Sequence, residues 1–309
     1  MPPAETYRHA HNEPVWGRSV NGWLAETCAG AAVLATRVEV LPGYQAEECV
    51  GHAVNYVGDM TDALFDFSDQ VVVITGGSRG MGRSMALAFA ERGANIVVAS
   101  RKIEACEAVA REVEALGRQA LPVACHVANW DDVGRLVDAA YERFGKIDVL
   151  INNAGMSPLY KKVSDVTEEL FDKVVGVNLK GPYRLMALVG ERMVEAGSGS
   201  IINVSSTASE QPTPHAEPYA ASKSGLNSLS RSFAHAFGPT VRVNTIIPGP
   251  FLTDISKAWD LEAFEKIAKE QYALERGGQP DEIVGAALYL AGPASTFTTA
   301  AEIRVDGGT

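Results

Sequence analysis

Long apolar runs are missing from this chain. No uninterrupted stretch approaches the roughly 18 residues that a bilayer-spanning helix needs, so no transmembrane segment is expected. Cysteine is scarce. Cys28, Cys49, Cys106 and Cys125 form no C-x-x-C pair and no zinc-ligand spacing, which disfavours a zinc module and points to reduced thiols in a cytosol. Positive charge is in deficit: 27 Lys and Arg stand against 38 Asp and Glu. The resulting net charge of −11 argues against a nucleic-acid surface and leaves room for a local anion pocket. Internal repeats and low-complexity tracts are absent as well. What remains, 46% apolar and 21% charged residues, is an ordinary composition for a soluble globular protein.

Of what is present, Tyr219-Ala220-Ala221-Ser222-Lys223 is the most informative. On a helix, positions i and i+4 share a face, so a phenol and an ammonium can meet in one site. A free tyrosine keeps its proton up to a pKa of about 10. A nearby Lys⁺ favours the phenolate and lowers that value, and a phenol tuned this way can pass a proton to or from a carbonyl or alcohol oxygen. The Y-x-x-x-K spacing is common on surface helices, so its weight depends on its companions.

One companion lies upstream. Val71-Val72-Val73-Ile74 is a β-branched run that reads as a buried parallel strand. It leads into Thr75-Gly76-Gly77-Ser78-Arg79-Gly80-Met81-Gly82 and then a helical pattern over 84–92. Strand, glycine-rich turn and helix start make a dinucleotide-binding unit, in which bare backbone lets a pyrophosphate approach the helix N-terminus. The spacing is T-G-x-x-x-G-x-G, not the commoner G-x-G-x-x-G. A glycine loop without a ligand is the alternative, which the flanking strand and helix disfavour.

The rest of residues 60–309 alternates strand and helix, the pattern of a parallel sheet covered on both faces. Strands are expected over 95–99, 119–125, 146–152, 200–205, 241–247 and 302–305. Helices are expected over 104–116, closed by Gly117, and over 131–144, 179–196 and 218–237, with another starting near Pro280.

The turn and the Tyr/Lys pair together resemble the short-chain dehydrogenase/reductase family, in its branch of roughly 250 residues. More of that pattern follows in order: Asn152-Asn153-Ala154-Gly155, Asn178, Ser206 thirteen residues before Tyr219, Pro248-Gly249 with Thr253, and Val305-Asp306-Gly307-Gly308. The resemblance covers residues 65–309. It implies an α/β fold of the Rossmann type, a single-domain doubly wound parallel sheet in three α/β/α layers. It also implies an oxidoreductase moving hydride between a nicotinamide and a carbonyl or secondary alcohol, with Asn178, Ser206, Tyr219 and Lys223 as the catalytic set and no metal. Tyr219 supplies the proton and Ser206 positions the carbonyl. Lys223 holds the nicotinamide ribose, and Asn178 anchors a water that links Lys223 to solvent. Cofactor contacts are expected from Gly76, Ser78, Arg79, Gly80, Met81 and Gly82; from Ser100 and Arg101; from His126 and Val127; from Asn153, Ala154 and Gly155; from Tyr219 and Lys223; and from Pro248, Gly249 and Thr253.

Charge bears on the choice of cofactor. An acid at the end of the second strand would bond the adenosine ribose and repel a 2′-phosphate. Ser100 stands there, followed by Arg101 and Lys102, with Arg79 on the same side. Guanidinium groups suit phosphate, so NADP(H) is favoured over NAD(H); the alternative is that Arg79 and Arg101 are solvated surface charges.

Two departures stand out. His126 replaces the family's aspartate facing the adenine amino group, where it can accept through one ring nitrogen or stack. Thr299-Ala300 replaces Thr-Gly before the last strand, which suggests slightly altered packing. The substrate lining is expected in residues 156–162, 207–218 and 251–272. Tyr160, Phe251, Trp259 and Phe264 there hint at a hydrophobic molecule; Lys161-Lys162 reads as a solvated pair, the alternative being a site for an anionic group. A ketone, 3-oxoacyl thioester, sterol or sugar alcohol all fit. The rival readings are a catalytically silent dinucleotide-sensing regulator of the same fold and epimerase/dehydratase chemistry, the latter disfavoured by the glycine spacing. A cytoplasmic homodimer or homotetramer is expected by resemblance, without nucleic-acid or membrane partners. Residues 1–59 lack clean periodicity and any secretory signal. They are expected to be a poorly ordered N-terminal extension or a start-site artefact, with Met60 as the natural start.

Overall fold

A computed structural model of the chain describes residues 63–254, 256 and 259–309. The expectations for residues 1–59 and for Met60 lie outside the described residues. Residues 62–309 form one compact unit.

The β-branched runs form the strands. In chain order the elements are β1 (Val71–Thr75), α1 (Gly80–Glu91), β2 (Asn95–Ser100), α2 (Ile103–Ala115), β3 (Ala120–Ala124), α3 (Trp130–Phe144) and β4 (Val149–Asn152). There follow α4 (Glu168–Val175), α5 (Gly181–Ala196), β5 (Gly199–Val204), α6 (Glu217–Phe237), β6 (Val241–Pro248), α7 (Leu261–Gln271), α8 (Val284–Ala291) and β7 (Glu302–Val305). The seven strands make one parallel sheet in the order β3-β2-β1-β4-β5-β6-β7.

Alternation along each strand splits the core in two. Val72 and Ile74 of β1, with Ile96 and Val98 of β2, face the layer built by Met85 and Phe89 of α1, Val109 of α2 and Leu288 of α8. Val71, Val73, Val97 and Ala99 face the opposite layer, built by Leu136 of α3, Leu185 and Val189 of α5 and Leu226 of α6. Both faces are buried, which is why these strands read as continuous apolar runs. Phe67 is fully buried edge-on against Phe89, at 4.8 Å between ring centroids, and fastens the entry to β1. After β3 the chain returns past β1 to lay β4 on its other side. That reversal opens a crevice at the C-terminal ends of β1 and β4, where doubly wound sheets bind ligands.

Three local features differ from expectation. Helices α4 and α7 fall in stretches for which no helix was expected, although each opens on a side-chain cap, Thr167 and Asp260. The helix expected at 179–196 starts at Gly181, after a single wide π turn at Gly176–Lys180. Ala300 sits at φ +57° where the family pattern has glycine, so this departure is a strained left-handed backbone, held by the Ala300 N–H donating to the Val243 carbonyl at 2.8 Å.

Candidate active site

The glycine turn is shaped by close approach. Gly76 has φ +65°, and a Cβ on Gly82 would collide with the Gly76 carbonyl. Asn153 braces the turn from β4: its Nδ2 donates to the Thr75 and Gly76 carbonyls at 2.9 and 3.2 Å, and Thr75 Oγ1 accepts the Asn153 and Ala154 N–H groups. The residue before α1, Arg79, makes no side-chain capping bond, so the first N–H groups of α1 are left for an anion. These features fit a pyrophosphate. A cleft of about 930 Å³ runs from the turn in both directions.

At one end stand the polar groups of β5 and α6. Ser206 follows β5 in extended backbone and caps the short turn Thr207–Ser209, its Oγ accepting the Ala208 N–H at 3.2 Å. Accepting that bond uses a lone pair of the hydroxyl and leaves its proton to be donated. Ser206 also bonds the Tyr219 hydroxyl. Lys223, one turn along α6, is buried and donates to the Val204 carbonyl at 2.7 Å. Desolvation pushes the Lys223 ammonium down to about 8. It also pushes the Tyr219 phenol up, opposed by the Ser206 hydrogen bond. This corrects the expectation that Lys223 lowers the phenol's pKa: burial governs both groups, and Nζ lies 5.9 Å from the Tyr219 ring centroid. The phenol therefore holds its proton at neutral pH.

Asn178 occupies the π turn between α4 and α5. Its Oδ1 accepts the Met156 N–H at 3.0 Å and its Nδ2 donates to the Met156 carbonyl at 2.8 Å. The side chain is fully buried and is not among the residues lining the cleft. Only bare backbone separates it from Lys223: a Cβ on Gly155 would lie 3.3 Å from Asn178 Oδ1 and 3.6 Å from Lys223 Nζ.

The opposite end is cationic. Ser100, Arg101 and Lys102 line it at the end of β2, and both basic side chains belong to exposed residues. Arg79 shares its charge, with Nη1 3.3 Å from Asp254 Oδ2. His126 lines this end too, but its Nδ1 already accepts the Ala128 N–H at 3.2 Å. In the neutral ring that bond places the proton on Nε2. The acceptor role expected for it is spent on its own loop.

The structure brings every expected cofactor-contact residue, from Gly76 to Thr253, to this one cleft. Of the expected substrate side chains, Phe251 and Trp259 line it. Tyr160 instead donates to Glu217, and Phe264 packs against Trp259 at 5.2 Å. Neither Lys161 nor Lys162 lines the cleft, whereas Lys173 does. Lys173 was missed because α4 was not recognised; a signal was available in Thr167, whose Oγ1 caps α4 by accepting the Leu170 N–H.

Comparison with known proteins places this architecture. A family model described as enoyl-(acyl carrier protein) reductase matches residues 76–309. L-rhamnose 1-dehydrogenase (NAD(P)(+)) of Azotobacter vinelandii is 38% identical over 248 residues, covering 78% of this chain and 96% of that protein. Dehydrogenase/reductase SDR family member 4 of Homo sapiens is 32% identical over 244 residues, covering 78% and 88%. The solved structure of 7α-hydroxysteroid dehydrogenase with NADH and 7-oxo glycochenodeoxycholic acid superposes with a TM-score of 0.77. It is 32% identical and covers 80% of this chain and 96% of that one. The chain belongs to the short-chain dehydrogenase/reductase family, oxidoreductases that move hydride between a nicotinamide nucleotide and an alcohol or carbonyl.

Proposed function

We propose that this chain is an NADP(H)-dependent oxidoreductase interconverting a secondary alcohol and a ketone, aldehyde or 3-oxoacyl-type carbonyl. The observation that carries the reading is the meeting of Ser206, Tyr219 and Lys223 at one end of a cleft whose other end holds Arg101 and Lys102. A nicotinamide bound there supplies the hydride in reduction and accepts it in oxidation. Tyr219 Oη gives its proton to the substrate oxygen in reduction and takes it back in oxidation. Ser206 donates to the same oxygen and stabilises the charge that builds on it. Lys223 holds positive charge beside the Tyr219 ring and would hold the nicotinamide ribose hydroxyls. Asn178, tied to Met156, fixes the loop that follows β4 rather than touching substrate.

Cofactor preference rests on the end of β2, where Ser100 stands in place of an acid and two cations follow. A 2′-phosphate suits that set. The relatives point both ways, one named for NAD(P)(+) and one solved with NADH, so the argument for NADP(H) is electrostatic. The same reading takes residues 60–309 as the catalytic domain and 1–59 as an extension. It also takes the working form as a cytoplasmic homodimer or homotetramer, the assembly being supported by Trp130 and Tyr183, which stack on one another while exposed on α3 and α5.

The test is a panel of ketones, aldehydes, sugars and a 3-oxoacyl thioester, followed by NADPH and NADH absorbance. An enoyl thioester belongs in the panel to test the reaction named for the matched family model. The expected result is carbonyl reduction with kcat/KM higher for NADPH than for NADH. A preference for NADH, or turnover of the enoyl thioester alone, would overturn the assignment.

A further inference from the structure

Tyr219, Lys223 and Asn227 are spaced by four and share one face of α6, but only the first two line the cleft. Asn227 is buried. Its Nδ2 donates to Ser209 Oγ at 3.0 Å, and Ser209 Oγ–H donates to the Ser206 carbonyl at 2.7 Å. The polarity of this chain is fixed. Ser209 has one hydroxyl proton, which it gives to Ser206, so it must accept from Asn227. Ser224, next to Lys223, adds a second tie by donating to the Ser209 carbonyl at 2.6 Å. The helix that carries the phenol therefore also grips the turn that carries the serine.

The Asn227 Oδ1 is buried with no hydrogen-bond partner among the described residues. A buried amide satisfied on one side only is unfavourable compared with an apolar side chain of similar shape. Packing alone would favour leucine here. The amide is explained by what its N–H₂ does.

We propose that Asn227 and Ser209 are positioning residues for the chemical step: through the Ser206 carbonyl they fix where the Ser206 hydroxyl sits relative to Tyr219. Neither needs to touch substrate or nucleotide. Releasing the link lets the Ser206 turn drift, which weakens the Ser206–Tyr219 hydrogen bond. That bond is what opposes the upward push of burial on the phenol. Loss of the link therefore moves the phenol's ionisation further upward and lowers the rate together. The inference rests on Ser206 and Tyr219 being the polar pair that works on the carbonyl oxygen.

The experiment compares Ser209→Ala, Asn227→Leu, the double variant, Ser209→Thr and Ser206→Ala in the full chain. Each is measured for NADPH affinity by fluorescence, for thermal stability, for kcat and KM with a reducible carbonyl, and for phenol ionisation by ultraviolet difference absorbance against Tyr219→Phe. Ser209→Ala and Asn227→Leu should each lower kcat about tenfold to a hundredfold with NADPH affinity unchanged, as expected for misplacement by a fraction of an ångström. Both should raise the ionisation midpoint of Tyr219, and Asn227→Leu should be at least as thermally stable as wild type. The double variant should be no slower than Ser209→Ala, because the two residues act through one link. Ser209→Thr keeps the hydroxyl and should restore the rate. Wild-type kcat and phenol midpoint in Ser209→Ala and Asn227→Leu, beside an impaired Ser206→Ala, would overturn this proposal alone. An unimpaired Ser206→Ala would overturn the reading beneath it and this proposal too.

Discussion

The Lys223 ammonium donates a 2.7 Å hydrogen bond to the carbonyl of Val204, the last residue of β5. This bond crosses from α6 to the sheet and satisfies a strand-end carbonyl, but it ties down a cation that is itself almost wholly out of water. Desolvation prevails over the bond and sets Lys223 at about 8, against its ordinary 10.5. The cation beside the reacting phenol is thus held at a cost to the fold.

That cost has a defined pH window. The folded value lies below the unfolded one, so folding penalises the charged form. The penalty is fully present below about pH 8 and is lost as pH climbs toward 10.5. At about 1.4 kcal/mol per unit, it amounts to about 3 kcal/mol. Lys223→Met has no such group to titrate. Denaturant unfolding of both proteins at neutral pH and near pH 10 should show wild type gaining about 3 kcal/mol relative to the variant on the alkaline side. A pH-independent difference would show that Lys223 is not desolvated as described.

The sequence made the sheet legible because both faces of it are buried. Strands such as Val71–Thr75 carry an apolar signal at every position, and the glycine turn after β1 announces its own close contacts. The Tyr219/Lys223 spacing was readable because a helix preserves it. What the sequence did not reveal depends on contacts between distant segments. The pull of burial on Tyr219 comes from the closure of β5, α6 and the segments around them, which the residue spacing does not encode. His126 was recognised as a departure, yet its donor polarity follows from the Ala128 N–H that the folded loop points at it. Arg79 was counted as an available cation, and Asp254, 175 residues away, takes part of its charge.

Arg101 should carry the discrimination between cofactors. It stands at the cationic end of the cleft, whereas Arg79 is paired with Asp254. Hydrogen bonds to charged groups are worth about 1.5–3 kcal/mol, so Arg101→Ala should weaken NADPH binding about tenfold to a hundredfold and leave NADH nearly unchanged. The effect of Arg79→Ala should be smaller. Added salt should erode the NADPH preference of the wild type, since this end of the cleft is open to solvent. Fluorescence titration with both nucleotides measures all three effects. An equal loss for NADPH and NADH in Arg101→Ala would place the guanidinium away from the 2′-phosphate.

Tyr219→Phe isolates the proton. The substitution removes one oxygen from a ring that otherwise keeps its place on α6; Ser206 loses that hydrogen-bond partner but keeps its bond to the Ala208 N–H, and Lys223 keeps its bond to the Val204 carbonyl. The phenol is held protonated by burial, which suits it to act as the acid in reduction. Reductive turnover of the wild type should therefore persist through neutral pH, fall once as Lys223 loses its charge near pH 8, and fail again past the raised ionisation of Tyr219, at which the acid is lost. A positioned general acid contributes about a hundredfold to ten-thousandfold, so single turnovers of NADPH with an excess of a reducible ketone should slow by at least that range in the variant. NADPH affinity should change little, because the phosphate turn and the cationic end of the cleft lie apart from the phenol. The remaining slow rate should keep the fall that Lys223 sets near pH 8 and lose the higher one, since phenylalanine has nothing to titrate. A variant that keeps turnover within about tenfold of wild type, or keeps the higher of the two alkaline falls, would show that another group delivers the proton.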